Sequence, residues 1–253
     1  MKNRKKLVVG NWKMNVMSVA EAKKLVSGVK RKTAKIKKTE VVFCPPLVYV
    51  SDLKNLSGKN HKLGVQNISS EEKGAFTGEV SAAQVRQYGV THSIIGHSER
   101  RKMGETDEMV NKKVHLAFNA KMTPILCIGE SMRDENGDYL NFIKMQLKTG
   151  LKGVTNAQIS DVVIAYEPIW AIGAKDAMQS RDIHAMTIYI KKCLQGMFES
   201  YASSVKILYG GAVNTANTSE IITDGFVDGL LVGRDSLDVE SFSQIIKSVD
   251  AVK

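Results

Sequence analysis

Eight short apolar runs recur along the chain, and they restrict its possible folds more than any other feature of the sequence. Each run is almost continuously apolar, as expected of parallel strands that are covered on both faces. The runs are Lys6–Asn11, Glu40–Cys44, Lys62–Gln66, Ser93–Gly96, Pro124–Ile128, Val162–Tyr166, Val205–Tyr209 and Gly229–Val232. We therefore predict eight buried parallel strands.

Segments with apolar residues at helical spacing lie between these runs. The clearest are Val16–Ala34, Thr106–Asn119, Ser180–Ser200 and Val239–Val249. Strands that alternate with helices indicate a parallel α/β fold, and eight such units in 253 residues favour a closed (β/α)8 barrel, the TIM barrel. No Gly-x-Gly-x-x-Gly follows the first run, which argues against a dinucleotide-binding fold. We expect one barrel domain over residues 1–253.

The sixth run leads directly into a carboxylate. Glu167 is followed by Pro168, which cannot donate to a sheet and favours extended geometry in the residue before it. The segment from Ile169 to Met178 is small and mostly apolar, and would suit a flap that covers a site. A carboxylate beneath such a flap suits a general base. This stretch alone is equally compatible with a strand-terminating carboxylate that faces water.

In a barrel of this kind the chemistry belongs at the carboxyl ends of the strands. Three groups fall at those ends: the ammonium of Lys13, the imidazole of His97 and the carboxylate of Glu167. Glycine-bearing turns follow the seventh and eighth runs, and their backbone N–H groups could receive a phosphate. The set predicts proton transfer on an anionic substrate.

Composition narrows the possible partners. The 36 basic and 26 acidic residues give a net charge of +10, concentrated in Lys2–Lys6 and Lys30–Lys38. Such runs occur in nucleic-acid binding proteins, but aromatic residues do not interleave with them and no DNA-binding motif is present, so a solvated surface that attracts anions is favoured. We expect no nucleic-acid partner, and no apolar run is long enough to span a membrane.

The three cysteines are odd in number and widely spaced. Without a CxxC or Cys/His cluster, they indicate reduced thiols in a cytoplasmic protein and neither a disulfide framework nor a metal site.

Seven strings, in order along the chain, resemble the triosephosphate isomerase family. They are VVGNWKMN (8–15), GAFTGEVSA (74–82), IIGHSERRKMGET (94–106), ILCIGE (125–130), AYEPIWAIG (165–173), ILYGGAVN (207–214) and DGLLVGRDSL (228–237). The resemblance implies interconversion of dihydroxyacetone phosphate and D-glyceraldehyde 3-phosphate, a step of glycolysis and gluconeogenesis, without a cofactor or a metal.

The same resemblance implies residue roles. Glu167 would be the base and His97 a neutral electrophile, the pairing for which this family is itself the standard example. Lys13 would neutralise the phosphate and the developing enediolate, with Asn11 hydrogen-bonding beside it. Glu99 would hold Lys13 or relay between Lys13 and His97, although it could instead belong to an ion-pair cluster with the two arginines that follow it.

The substrate phosphate would be bound by Asn11 and Lys13 and by backbone groups at four further positions. These are Gly173, Ala212, Gly233 and Arg234. A homodimer is implied as well, formed by the Gln66–Glu79 loop, with Thr77 reaching the partner subunit's Asn11 and Lys13. Cys127 would pack near the base.

Three positions depart from the family pattern. The lid segment Ile169–Met178 is about three residues short. Ala212 replaces a serine, which removes a hydroxyl contact that would contribute about 1.5–3 kcal/mol. Arg234 replaces a glycine, and its guanidinium could contact the phosphate or face solvent.

These departures concern the phosphate and the lid and not the acid–base groups. They leave two alternatives: an isomerase of a slightly larger ketose phosphate, such as a tetrulose phosphate, and a catalytically silent basic barrel.

Overall fold

Eight parallel strands close into a barrel in the order in which they occur along the chain. The structure is a computed structural model, and it describes residues 4–171 and 178–252. The strands are β1 (Lys6–Asn11), β2 (Thr39–Cys44), β3 (His61–Val65), β4 (Val90–Ile95), β5 (Thr123–Ile128), β6 (Val163–Tyr166), β7 (Lys206–Tyr209) and β8 (Gly229–Val232). The predicted (β/α)8 fold is confirmed.

The barrel closes where β8 pairs with β1, in a register that places Gly229 opposite Leu7. A Cβ atom at Gly229 would lie 1.8 Å from the carbonyl oxygen of Leu7. Only glycine permits this approach, so the identity of residue 229 is set by the closure of the sheet.

Helices follow the strands around the outside of the barrel. Among the described residues they are α1 (Val19–Lys32), α2 (Val50–Leu53), α3 (Ala82–Arg86), α4 (Ser98–Lys102), α5 (Asp107–Asn119), α6 (Asp138–Gly150), α7 (Ser180–Phe198), α8 (Thr218–Thr223) and α9 (Val239–Ala251). The four predicted helices are all present with shifted ends. Thr106 is not helical: it caps α5, and its hydroxyl accepts from the N–H of Met109.

Successive strand residues face two different parts of the core. Leu7, Val9 and Ile94 belong to a buried cluster inside the barrel, whereas Val8 and Ile95 belong to a larger cluster between the sheet and the helices. This double burial explains why the runs are continuously apolar. No helix in the described part of the chain is long and apolar enough to cross a membrane.

Candidate active site

Glu167 extends from the carboxyl end of β6 into the mouth of the barrel. Its N–H donates to the carbonyl of Ile128 at 2.8 Å, which continues the pairing of β5 with β6 beyond the strand end. The residue is only 2% exposed. Its carboxylate oxygens lie 3.1 Å from Nε2 of His97 and 3.2 Å from the N–H of Ser98. The alternative of a water-facing carboxylate is therefore wrong.

The backbone on either side of this strand end is tightly fitted. A Cβ at Gly129, just after β5, would lie 1.8 Å from the carbonyl oxygen of Glu167. Glycine at this position therefore allows the backbone of Glu167 to sit against the neighbouring strand end.

The neighbours of Glu167 keep its carboxyl group ionised. Burial by itself raises the pKa of a carboxyl group, but His97, the N–H of Ser98 and the thiol of Cys127 together outweigh it and lower the pKa of Glu167. Burial, together with the charge of Glu167, raises the pKa of the Cys127 thiol well above its usual value. Cys127 is thus a neutral donor that packs against the base, in agreement with the sequence interpretation.

His97 caps the N-terminus of α4, and this position defines its protonation. Its Nδ1 accepts a hydrogen bond of 3.2 Å from the N–H of Glu99, which requires that Nδ1 carry no proton. The proton of the neutral ring is then on Nε2, where it points at Glu167.

Opposing influences act on the pKa of His97. Burial and Lys13 lower it, while the carboxylates of Glu167 and Glu99 raise it, and the balance of these four influences is upward. The helix N-terminus and the N–H donated to Nδ1 act in the opposite direction, because both disfavour a second ring proton. Since Nδ1 accepts this N–H only while it is unprotonated, we describe the ring as a neutral imidazole.

Lys13 occupies a strained backbone conformation beside the end of β1. Its φ angle is +52°, in the left-handed region that costs a non-glycine residue about 1–3 kcal/mol and is typical of functional sites. The side chain of Asn11 accepts from the N–H of Lys13 at 3.1 Å, and Gln66 donates to the carbonyl of Lys13 at 2.9 Å. These contacts fix the turn that directs the lysine side chain into the mouth.

The ammonium of Lys13 forms an ion pair with Glu99, with Nζ 2.7 Å from Oε1. The other oxygen of Glu99 lies 3.7 Å from Nδ1 of His97, so the carboxylate stands between the two groups. The next-but-one residue, Arg101, pairs instead with Asp107. The structure therefore brings Glu99 to the site and does not place it in a cluster with Arg101.

The structure describes all but one of the positions predicted to bind the phosphate. A Cβ at Gly233 would lie 3.8 Å from Cε of Lys13, so the turn after β8 adjoins the ammonium. Arg234 opens a short 3₁₀ turn, is exposed and has ordinary backbone geometry. The carbonyl of Ala212 accepts from the side chain of Asn217 at 3.0 Å. Gly173 lies outside the described residues.

One functional cluster was missed from the sequence. Glu130, just beyond β5, is 1% exposed, and its Oε1 accepts three hydrogen bonds. The donors are the hydroxyl of Tyr166 at 2.8 Å, Nε of Arg133 at 3.0 Å and the indole of Trp170 at 3.1 Å. The sequence did contain a signal, because ILCIGE ends in a carboxylate after a strand just as AYE does.

The predicted dimer loop contacts the site of its own chain through Gln66, at its first residue, while its distal part projects into solvent. Residues 72–79 are exposed, including Phe76 and Thr77. Beside the site, Met14 is 92% exposed, although methionine is usually buried.

The described residues therefore place an ionised carboxylate, an imidazole N–H and an ammonium around one concave mouth. Such a group can remove a proton from carbon beside a carbonyl and stabilise the negative charge that develops on oxygen. Within residues 4–171 and 178–252, no group of three or more His, Cys, Asp or Glu side chains could hold a metal ion.

Comparisons with known proteins agree with this geometry. The family model described as triosephosphate isomerase matches residues 6–249. A triosephosphate isomerase of Endomicrobium trichonymphae is 44% identical over 96% of this chain and 98% of its own length. One from Alkaliphilus metalliredigens is 41% identical over 96% of this chain and 99% of its own.

A solved structure is also similar. The crystal structure of triosephosphate isomerase from Bartonella henselae superposes with a TM-score of 0.83 at 30% identity, covering 96% of this chain and 98% of that one.

Proposed function

The chain belongs to the triosephosphate isomerase family and is an isomerase of dihydroxyacetone phosphate and D-glyceraldehyde 3-phosphate, and on this premise we propose how its residues divide the reaction. The observation that carries the proposal is the contact of 3.1 Å between His97 and Glu167, with the Lys13–Glu99 ion pair beside it. This arrangement supports a base (Glu167), an electrophile (His97) and a cation (Lys13) that act on one substrate at the mouth of the barrel.

Glu167 takes a proton from C1 of the ketose phosphate. The electron pair of the broken C–H bond forms the C1–C2 double bond, and the carbonyl π electrons move to oxygen, giving an enediolate. The Nε2–H of His97 donates to that oxygen. Return of the proton to C2, with the complementary transfer between the two oxygens, gives the aldose phosphate. Before this can happen, the substrate carbonyl must replace Glu167 as the partner of His97.

Lys13 supplies positive charge to the phosphate and the enediolate. Its pairing with Glu99 and the turn held by Asn11 keep the ammonium at the mouth while the site is empty. Glu99 is 54% exposed on its side chain, so an entering phosphate can compete for Lys13. We assign Glu99 to holding Lys13 and not to proton transfer. Nothing in this assignment needs a cofactor.

The phosphate group is received by Lys13 and Asn11 together with backbone N–H groups of the turns after β7 and β8, at Ala212, Gly233 and Arg234. Gly233 adjoins Lys13, which supports its part in this contact. Gly173 completes the set, on the strength of the family resemblance alone.

The reaction is tested by a coupled assay on purified protein with glyceraldehyde 3-phosphate, and with erythrulose phosphates in parallel. We expect kcat/KM for the triose near the diffusional limit, about 10⁸ M⁻¹s⁻¹, of which this family is itself a standard example. Absence of triose turnover by folded protein, or a larger kcat/KM with the tetrulose, would reject the assignment.

Arg234 stands where a phosphate ligand could compensate for Ala212. The exposed guanidinium beside the Gly233 turn supports contact with the phosphate. The Arg234→Ala variant should raise KM and the inhibition constant of inorganic phosphate about 3- to 10-fold, with kcat retained, because this contact is made equally in the ground and transition states. Arg31→Ala on α1 is the control, and equal constants in the two variants would assign Arg234 to solvent.

We further propose a homodimer formed through the Gln66–Glu79 loop, with Thr77 next to the partner subunit's site. Large apolar side chains are exposed around the mouth of the barrel: Met14, Met17, Val48, Phe76 and Met103. The loop also borders an open cavity of about 360 Å³ whose lining includes Phe76. An exposed apolar rim of this kind fits a second copy of the same surface.

The dimer is tested by sedimentation velocity on the Met14→Glu variant. We expect dissociation and a loss of activity, because the turn that carries Lys13 would lose its support. Met145→Glu, on the exposed face of α6, is the control. A wild-type protein that sediments as an active monomer would refute the dimer.

We propose that the enzyme works in the cytoplasm, in glycolysis and gluconeogenesis. All three cysteines are free thiols, which supports a reducing compartment. Fractionation of the source cells with antibody detection would test this location.

A further inference from the structure

Arg133 lies in the connection between β5 and α6, outside the set of residues that contact substrate. The backbone at Arg133 is held by the next residue, Asp134. The carboxylate of Asp134 accepts hydrogen bonds from the N–H of Asp138 at 2.9 Å and from the N–H of Tyr139 at 3.1 Å. The connection is thereby tied to the first turn of α6. The guanidinium of Arg133 also lies over the ring of Tyr139, 5.0 Å from the ring centre.

The guanidinium contacts residues on both sides of the 172–177 segment. Before it, Arg133 lies 5.3 Å from the centre of the Trp170 ring. After it, Nη2 of Arg133 lies 3.8 Å from the sulfur of Met178, which is buried. One side chain therefore touches residues on each side of a segment that begins shortly after Glu167 and includes Gly173.

The same side chain is bonded to the strand that carries the base. Nε donates to Glu130 at 3.0 Å and Nη2 donates to the hydroxyl of Tyr166 at 3.0 Å. Tyr166 immediately precedes Glu167. The carboxylate of Glu130 in turn accepts from the indole of Trp170. Arg133 thus contacts the end of β6 as well as Trp170 and Met178, which lie on either side of the 172–177 segment.

These contacts require a guanidinium. It presents donors in a planar fork and stacks on aromatic rings, whereas a lysine ammonium offers one point of charge. It also neutralises Glu130, whose second oxygen is buried without a hydrogen-bond partner among the described residues. Removing Arg133 would leave a buried carboxylate that only neutral groups solvate.

We propose that Arg133 is a positioning residue for the isomerase reaction, holding Trp170 and Met178 against the Glu130–Tyr166 pair and so fixing the backbone that carries Glu167. This inference rests on the proposed role of Glu167 as the base. Arg133 itself touches neither substrate nor the reacting atoms.

The test compares Arg133→Met with Arg133→Lys. Arg86→Met is the matched control, because Arg86 is another half-buried arginine, with its guanidinium bonded to the carbonyl of Val90. We expect kcat to fall about 10- to 100-fold in Arg133→Met, as for a displaced catalytic group. Arg133→Lys should recover part of this loss.

Fluorescence provides a readout that does not depend on turnover. The chain has two tryptophans, and Trp12 is fully buried far from Arg133 in sequence, so a change in emission on replacing Arg133 reports Trp170. We expect a shifted emission in Arg133→Met and none in Arg86→Met.

Wild-type kcat and emission in Arg133→Met would overturn the inference. So would a fall in activity that matches the unfolded fraction in thermal melts, since that result indicates a structural role only. If wild-type protein lacks triose turnover, or Glu167→Gln retains it, the proposed function fails instead. The fluorescence comparison then still decides whether Arg133 holds Trp170.

Discussion

Two buried acid–base pairs lie on the same side of this barrel, and they differ in the way their charges are bound. Glu105 and Lys113 form an ion pair in which each side chain is 1% exposed. The ammonium also donates to Asn67 at 2.7 Å, at the base of the predicted dimer loop. Glu167 is as deeply buried, but its partners are a neutral ring, a backbone N–H and a thiol.

The difference shows what each carboxylate can do. A carboxylate paired with a full charge in a buried site is held permanently, because separating the charges leaves both without solvent. A carboxylate held by neutral donors at 3.1 and 3.2 Å can exchange them for a substrate. The pair at Glu105 is therefore a fixed part of the fold, and the pair at Glu167 remains available for chemistry.

The largest expected effect is on catalytic activity, and it distinguishes Glu167 from Glu105. Glu167→Gln should lower kcat about 10³- to 10⁴-fold with little change in KM, since a general base acts in the transition state. Glu105→Gln should leave kcat of the folded enzyme within about threefold, because its carboxylate is paired with Lys113 and not with a catalytic side chain. Steady-state kinetics on both variants measure this, and a comparable loss in the two would abolish the distinction.

The free energy of unfolding should distinguish the two sites in the opposite way, with the larger effect at the Glu105–Lys113 pair. Lys113→Met leaves the carboxylate of Glu105 buried and unpaired, which should cost about 3–5 kcal/mol in the free energy of unfolding. Lys112→Met is the matched control, because Lys112 pairs with Glu71 at the surface and should contribute less than about 1 kcal/mol. Denaturant unfolding measures both, and equal values would show that the buried pair is not a structural element.

The smallest effect is a pH dependence that belongs to Glu167. Its pKa in the folded protein is lowered, so its ionised form stabilises the folded state above pH about 4.5, the usual value, and this contribution is lost as the pH falls through the folded pKa. The stability of the wild type relative to Glu167→Gln should therefore decrease between pH 6 and pH 3.5. Urea unfolding at the two pH values tests the sign, and an increase would contradict it.

The strands were the most predictable part of the fold. Lys6–Asn11 and Gly229–Val232 have the predicted ends, because burial on both faces makes the whole strand apolar. The helix α6 was not identified. Its outward face carries Phe142 and Met145, each about half exposed, and they obscure the apolar stripe that normally marks a helix.

The site was predictable only in part, for a related reason. Residues that follow strand ends can be recognised from local pattern, as Lys13, His97 and Glu167 were. Partnerships that form only in the folded chain leave no local pattern: Glu99, in α4, contacts Lys13 across the mouth, and Lys113 meets Glu105 only when α5 packs. The Glu130 cluster has the same origin, since its donors come from the connection after β5 (Arg133), from β6 (Tyr166) and from the residues after β6 (Trp170).

The closure of β8 onto β1 also determines when the folding chain loses its last exposed strand edge, and such an edge is a site of aggregation. A closed sheet has no exposed edge to pair with other chains, but this seam joins residue 7 to residue 229, near opposite ends of the sequence. During synthesis, at about 5–20 residues per second, the first strand must wait many seconds for its neighbour. Until Gly229 reaches Leu7, the nascent chain carries an open strand edge that is available to pair with other chains.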